Sequence, residues 1–236
     1  MTPEQEAALA PYIGQIVQGD CREVMASFPD GCFDAVVTDP PYGIGWYHDG
    51  TGGTYQVAPS LLITGDDEPF DPCFMLPLAP KLCLFGANHY ADKLPPSAHW
   101  LVWDKRDGMG STDQADAEMA WMTPPGLVRV VRHRWKGYVR DSERGSAKEH
   151  PTQKPVALMR WVLDELRVPP GGLILDPFMG SGTTAVACVQ TGRGFVGIEL
   201  SEDYCDIARR RVAEALLQPR LDFDAPPKPK QGEMPL

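Results

Sequence analysis

The segment Phe33-Asp34-Ala35-Val36-Val37-Thr38-Asp39 is a near-continuous apolar run that ends on a carboxylate. Such a run suits a strand buried on both faces, as in a parallel sheet. Comparable runs recur at Ile13–Asp20, Lys81–Gly86, Trp100–Asp104, Leu173–Asp176 and Phe195–Glu199. Helical patterns separate several of them. Cys21–Phe28 reads as a helix. A second starts at Lys154-Pro155, with Val156, Met159, Val162, Leu163 and Leu166 at helical spacing. Gly182–Gln190 is a small-residue helix and Glu202–Leu217 the last. Strands alternating with helices imply an α/β fold with a doubly wound sheet.

A chain of 236 residues suits one domain with an insertion. The domain is expected over 1–218, with an irregular, polar insertion over about 105–149. The residues from 219, rich in proline and charge, read as a disordered tail. The loop over 43–65, rich in Gly, Thr and Tyr, follows Asp39 directly.

At 43% hydrophobic and 23% charged, the composition is that of an ordinary soluble protein. No apolar run approaches the roughly 20 residues that span a bilayer. The acidic start, Met1-Thr2-Pro3-Glu4-Gln5-Glu6, has no signal-peptide pattern, so a cytoplasmic location and no membrane partner are expected. The six cysteines form no C-x-x-C pair and no zinc spacing, so buried reduced thiols and no metal are expected. The formal net charge of −10 argues against a nucleic-acid partner, but its distribution reverses the argument. Residues 129–148 hold seven Arg and Lys against two carboxylates, a net of +5 that leaves −15 for the rest. A basic island on an acidic body can bind phosphate, because the local field governs contact. A solvated surface loop has the same composition.

Asp176-Pro177-Phe178-Met179-Gly180-Ser181-Gly182-Thr183-Thr184 lies at a strand-to-helix junction, and Glu199 ends the next strand, 19 residues after Gly180. The glycines let the backbone turn and approach a ligand, and the acid can accept both hydroxyls of a ribose. Gly180 to Ala185 also fits the dinucleotide pattern G-x-G-x-x-A. Asp176 favours S-adenosylmethionine, whose cationic amino-acid part suits a carboxylate that a pyrophosphate would avoid. A tight turn with no ligand is the bland alternative.

Asp39-Pro40-Pro41-Tyr42 caps a buried strand. Asp39 can accept a hydrogen bond from an amino group, and prolines present carbonyl acceptors without competing N–H donors. Two acceptors on one NH₂ draw its hydrogens out of plane and free the nitrogen lone pair. Tyr42 offers a face for a flipped base.

Together the two motifs resemble those of the bacterial and phage DNA amino-methyltransferases. The resemblance runs from about Ile13 to Ala213 and includes His150-Pro151-Thr152-Gln153-Lys154-Pro155. The catalytic motif precedes the recognition region and the cofactor motif, as in the β arrangement. The resemblance implies a Rossmann-like methyltransferase sheet in which Asp39, Pro40, Pro41 and Tyr42 bind and activate the target base. Asp20, Cys21, Asp39, Asp176, Phe178, Gly180, Ser181, Gly182, Thr183, Glu199 and Leu200 would bind S-adenosylmethionine, with Thr152 and Lys154 on its methionine part. Asp rather than Ser before Pro-Pro-Tyr favours adenine N6 over cytosine N4.

Only about 45 residues remain for target recognition. That implies a short site, a dimer or loose specificity. Double-stranded DNA is the expected partner, with a second copy of the chain and a cognate restriction endonuclease as further candidates. Arg129, Arg132, Arg134, Lys136 and Arg140 are the expected DNA contacts. Trp135 and Tyr138 lie among them, and Trp135 is either a base contact or a hydrophobic anchor. Pro72-Cys73 has the dipeptide of cytosine-C5 nucleophiles but the wrong motif order, so a structural Cys73 is expected. The rival readings are methylation of RNA or of a protein amide, and a non-catalytic DNA-binding module.

Overall fold

The computed structural model describes residues 1–44, 65–108, 115–136, 139–145, 149–150 and 152–218. The tail from 219, Tyr138 and most of the loop after Tyr42 lie outside the described residues.

The strands among the described residues are β1 (Ile16–Gln18), β2 (Ala35–Thr38), β3 (Leu82–Phe85), β4 (Trp100–Asp104), β5 (Ala117–Met122), β6 (Arg129–Arg132), β7 (Trp135–Lys136), β8 (Val139–Arg140), β9 (Leu173–Asp176) and β10 (Gly194–Glu199). Eight form one sheet in the order β1-β10-β9-β2-β3-β5-β4-β6. Every pairing is parallel except those of β5, which is antiparallel to both neighbours. β7 and β8 form a separate ribbon.

The helices are α1 (Pro3–Leu9), α2 (Cys21–Met25), α3 (Val156–Glu165), α4 (Thr183–Gln190) and α5 (Glu202–Leu217). Side chains of the central strands alternate between two cores. Val37, Cys83 and Phe85 join the α3–α4–α5 side. Val36, Leu82 and Leu84 join the side of α1, α2 and the turn Cys73–Leu78. Both faces are therefore buried, which is why these strands read as continuous apolar runs. The small residues of α4 suit a helix wedged between α3 and α5 and fully set against the sheet.

Two expectations are corrected. α2 ends at Met25 rather than Phe28. The stretch over 105–149 is not irregular throughout, because β5 sits inside the sheet and β6 forms its edge. Ala-Glu-Met-Ala-Trp-Met lacks β-branched residues and carries a carboxylate in mid-run, so propensity hides the strand. Its neighbours decide the matter, since Trp121 pairs with Leu84 on one side and Trp100 on the other. Trp135 is an anchor, 4% exposed, whose Nε1 donates to the Gln153 carbonyl at 2.6 Å.

Candidate active site

Four neighbouring parallel strands, β1, β10, β9 and β2, finish at or just before Asp20, Glu199, Asp176 and Asp39. Parallel pairing brings these four acids to one edge of the sheet. The chain leaves β9 for β10 on one side and β2 adjoins it on the other, so the edge includes the point where an open α/β sheet forms a ligand crevice.

Asp39 and Asp176 are linked across that point. The Thr38 hydroxyl, one residue before Asp39, donates to Asp176 Oδ1 at 2.7 Å, and the Phe178 amide donates to the same oxygen at 3.1 Å. Burial pushes the Asp176 carboxyl up to about 6 against the bonds from Thr184, Thr38 and Phe178 that favour its charge.

The loop after β2 is held by a residue that the sequence pattern did not mark. Asp66, 2% exposed, accepts from the amides of Tyr42 at 2.7 Å, Gly43 at 2.8 Å and Ile44 at 3.5 Å through one carboxylate oxygen. A Cβ at Gly43 would lie 2.4 Å from the Glu68 carbonyl, so this turn tolerates no side chain there. The Tyr42 ring stacks on His89 at 5.1 Å and lies against Gly86, where a Cβ would meet it at 1.9 Å. Its hydroxyl donates to Asp39 Oδ1. Tyr42 is therefore held by the ring of His89, by its fit over Gly86 and by Asp39.

Asp39 Oδ2 is ion-paired with Lys154, whose side chain is only 4% exposed. The same ammonium lies 3.2 Å from Glu118 Oε2 and 4.7 Å from the centre of the Phe85 ring. Glu118 Oε1 accepts from Lys105 at 2.8 Å. Burial raises the Asp39 carboxyl, and Lys154, shared with a second carboxylate, does not undo it. Burial alone would raise Glu118 too, but Lys154 and Lys105 outweigh it and hold that carboxyl down to about 2. Lys154, expected on the methionine part of a cofactor, is paired here with Asp39 and Glu118.

The glycine loop is rigid for reasons of its own. Gly182 is left-handed, and a Cβ there would come within 2.8 Å of Ala208 on α5. Arg211 of α5 donates to the Ser181 carbonyl at 2.6 Å, to the Ser181 hydroxyl at 3.0 Å and to the Thr183 hydroxyl at 3.3 Å. The side chains of Ser181 and Thr183, two of the residues expected at the cofactor, thus lock the loop to α5. Glu199 is aimed by the amides of Gly180 at 2.8 Å and Ser201 at 2.9 Å. Gly180 abuts the ring of His150, which packs on Tyr204 at 4.4 Å. Thr152 donates its amide to His150 Nδ1 at 3.2 Å. Burial, with help from Lys154, lowers the His150 imidazole to about 4, so it is neutral. Phe178 packs edge-on against Phe70 at 5.6 Å. Asp20 caps α2 through the Arg22 amide, the Cys21 thiol belongs to the core, and Leu200 is exposed.

The basic island is partly neutralised. Arg129 pairs with Glu165 at 3.0 Å, Arg134 with Asp141 at 2.8 Å, and Arg140 lies 4.8 Å over Trp135. Arg132 is 69% exposed on the side chain, with Asp104 at 3.8 Å. Lys136 lies in β7. Cys73 is exposed, and its bond with Asp71 raises the thiol, the opposite of what a nucleophile needs. Among the described residues no group of His, Cys, Asp and Glu suits a metal, and no helix is long and apolar enough to cross a membrane.

Replacing Asp66 by Ala leaves three successive amides without their acceptor. Stability should fall by about 1–3 kcal/mol in urea unfolding. An unchanged midpoint would show that the loop does not depend on this carboxylate.

Residues 102–210 match the family model described as DNA methylase. The chain is 30% identical over 220 residues to YubD of Escherichia coli (strain K12), which is named as a methylase, covering 85% of this chain and 91% of that one. The structure of the M1.HpyAVI–SAM complex is similar, with a TM-score of 0.52 at 24% identity over 84% of this chain and 98% of that one. The PvuII DNA methyltransferase, described as cytosine-N4-specific, gives a TM-score of 0.56 at 16% identity over 83% of this chain and 85% of that one. With the acid-edged Rossmann-like sheet and the Asp-Pro-Pro-Tyr turn in place, the chain belongs to the DNA methylases that modify N6 of adenine or N4 of cytosine.

Proposed function

We propose that this protein transfers a methyl group from S-adenosylmethionine to the N6 amino group of adenine in double-stranded DNA. The observation that carries the reading is the Asp39 carboxylate in its fixed Pro-Pro-Tyr turn, beside Asp176 and Glu199 on one edge of the sheet. Asp rather than Ser at position 39 supports adenine.

The acid-rich edge fits a cationic cofactor. Asp176, raised by burial, regains its charged form most readily beside a positive group. Glu199 suits ribose hydroxyls, and the backbone of Gly180 and Gly182 allows close approach. Phe178 and Asp20 flank the same edge. When bound, S-adenosylmethionine supplies an electrophilic methyl on a sulfonium.

Asp39 accepts a hydrogen bond from the target amino group, and the Pro40 and Pro41 segment supplies carbonyl acceptance without donor competition. The nitrogen lone pair forms the new N–C bond as the C–S bond breaks. The proton that the nitrogen releases falls to Asp39, whose burial favours the protonated form. Tyr42 and the Asp66-held turn fix the position of these groups, which supplies much of the rate in a two-substrate transfer.

Asp39→Ala should retain cofactor binding and lose transfer of labelled methyl to unmethylated DNA. Digestion to nucleosides should then place the wild-type label in N6-methyladenine; label in N4-methylcytosine would keep the mechanism and change the base. Full turnover by Asp39→Ala would remove Asp39 from the chemistry.

Cofactor binding should weaken as pH falls through about 6, because Asp176 then takes up a proton and loses its attraction for a cation. The loss should approach tenfold per pH unit and should flatten in Asp176→Asn. A pH-independent dissociation constant in calorimetry would separate Asp176 from the cofactor.

For DNA, Arg132→Gln with Lys136→Gln should reduce the slope of log K against log salt by about 2, at about 0.9 per phosphate contact. Arg134→Gln should change it less, since Asp141 already holds that guanidinium. An unchanged slope in the double variant would move the footprint elsewhere.

A further inference from the structure

Asp39 has its two oxygens occupied, Oδ1 by the Tyr42 hydroxyl and Oδ2 by the Lys154 ammonium. A target amino group that donates to Asp39 competes with one of them. Tyr42 is pinned by its stack on His89, its fit over Gly86 and the hydrogen bond its backbone amide donates to Asp66. Lys154 ends a flexible four-carbon stem, so it is the partner that can leave.

Moving a buried ammonium away from its carboxylate normally strands both charges. Here a second carboxylate is already in place. Glu118 Oε2 is buried, and among the described residues it accepts no aligned hydrogen bond, although the Lys154 ammonium is 3.2 Å away. Lys105 occupies the other oxygen of Glu118 and keeps that residue charged. The Phe85 ring, 4.7 Å from the ammonium, adds a cation–π attraction that does not depend on either carboxylate.

We propose that Lys154 is a transferable counter-ion, paired with Asp39 in the empty site and handed to Glu118 when the target amino group takes its place. Glu118 is then a positioning residue that acts through Lys154 and does not touch the base. The inference rests on Asp39 being the acceptor of the target amino group, and it holds equally for adenine and cytosine.

The test is methyl transfer to unmethylated genomic DNA by the full chain, with cofactor affinity measured in parallel. Glu118→Gln removes the receiving charge and pins Lys154 on Asp39. It should lower kcat by about 10- to 100-fold, the range for a lost charged hydrogen bond, with cofactor affinity within about twofold of wild type. Glu118→Asp keeps the charge with a shorter reach and should fall between the two. In a Lys154→Met background there is nothing to hand over, so adding Glu118→Gln should cost no further activity. Wild-type kcat in Glu118→Gln would overturn the proposal. So would an equal loss in both backgrounds, or a Glu118→Asp protein as inactive as Glu118→Gln while both still bind cofactor. Asp39→Ala, run alongside, separates the two levels: its activity would sink the role of Asp39 itself, whereas an inactive Asp39→Ala with a normal Glu118→Gln overturns only the counter-ion transfer.

Discussion

A buried carboxylate holds a charged form only against the cost of leaving water, and a neighbouring cation lessens that cost. Lys154 is that cation for Asp39, opposing but not cancelling the effect of burial, and much of the surrounding architecture serves Lys154. Removing one partner of such a buried pair costs about 3–5 kcal/mol, because the other charge is left uncompensated. The segment that carries Lys154 is tied down at Glu149, His150 and Gln153. Trp135 Nε1 holds the Gln153 carbonyl, Gln153 Oε1 accepts from the Glu149 amide, and His150 packs between Gly180 and Tyr204. One strap thus connects the glycine loop to the Asp-Pro-Pro-Tyr turn, which lie far apart in sequence.

Rigidity is unevenly divided between the two halves of the site. The cofactor side is locked by Arg211, by the close approach of Gly182 to α5 and by the bonds that surround Asp176. The Asp39 side holds its backbone through Asp66, while Tyr42 and Lys154 occupy both oxygens of Asp39, so the proposed mechanism requires a side chain there to exchange partners. A fixed backbone with exchangeable side-chain contacts keeps the geometry of the reacting groups while allowing the base to enter.

Most of this frame was legible in the sequence. The buried strands announced themselves as apolar runs because both sheet faces are covered, and the two motifs lay at strand ends where a parallel sheet gathers its ligands. What stayed hidden depended on contacts distant in sequence. Glu118 sits in a strand built of Ala, Met and Trp, which propensity does not favour; its signal was a carboxylate inside an apolar run, and its meaning came only with Lys105 and Lys154. Asp66 belongs to no motif and gained its role by folding back on residues 42–44. Ser181 and Thr183 were expected at the cofactor from their motif, and nothing local signalled their bonds to Arg211, nearly thirty residues on. Charge counting overstated the basic island for the same reason, since Glu165 and Asp141 answer Arg129 and Arg134 from outside or within it.

The placement of β5 and β6 also bears on how much of the chain is left to read a target. Of the stretch over 105–149, residues 117–122 are enclosed by β3 and β4, and 129–132 are hydrogen-bonded to β4 along the sheet edge. The β7–β8 ribbon is anchored by Trp135 in the core, with Arg140 above its ring. These are positions that present backbone and guanidinium groups in a fixed frame, which suits contacts to phosphate more than a search of base edges.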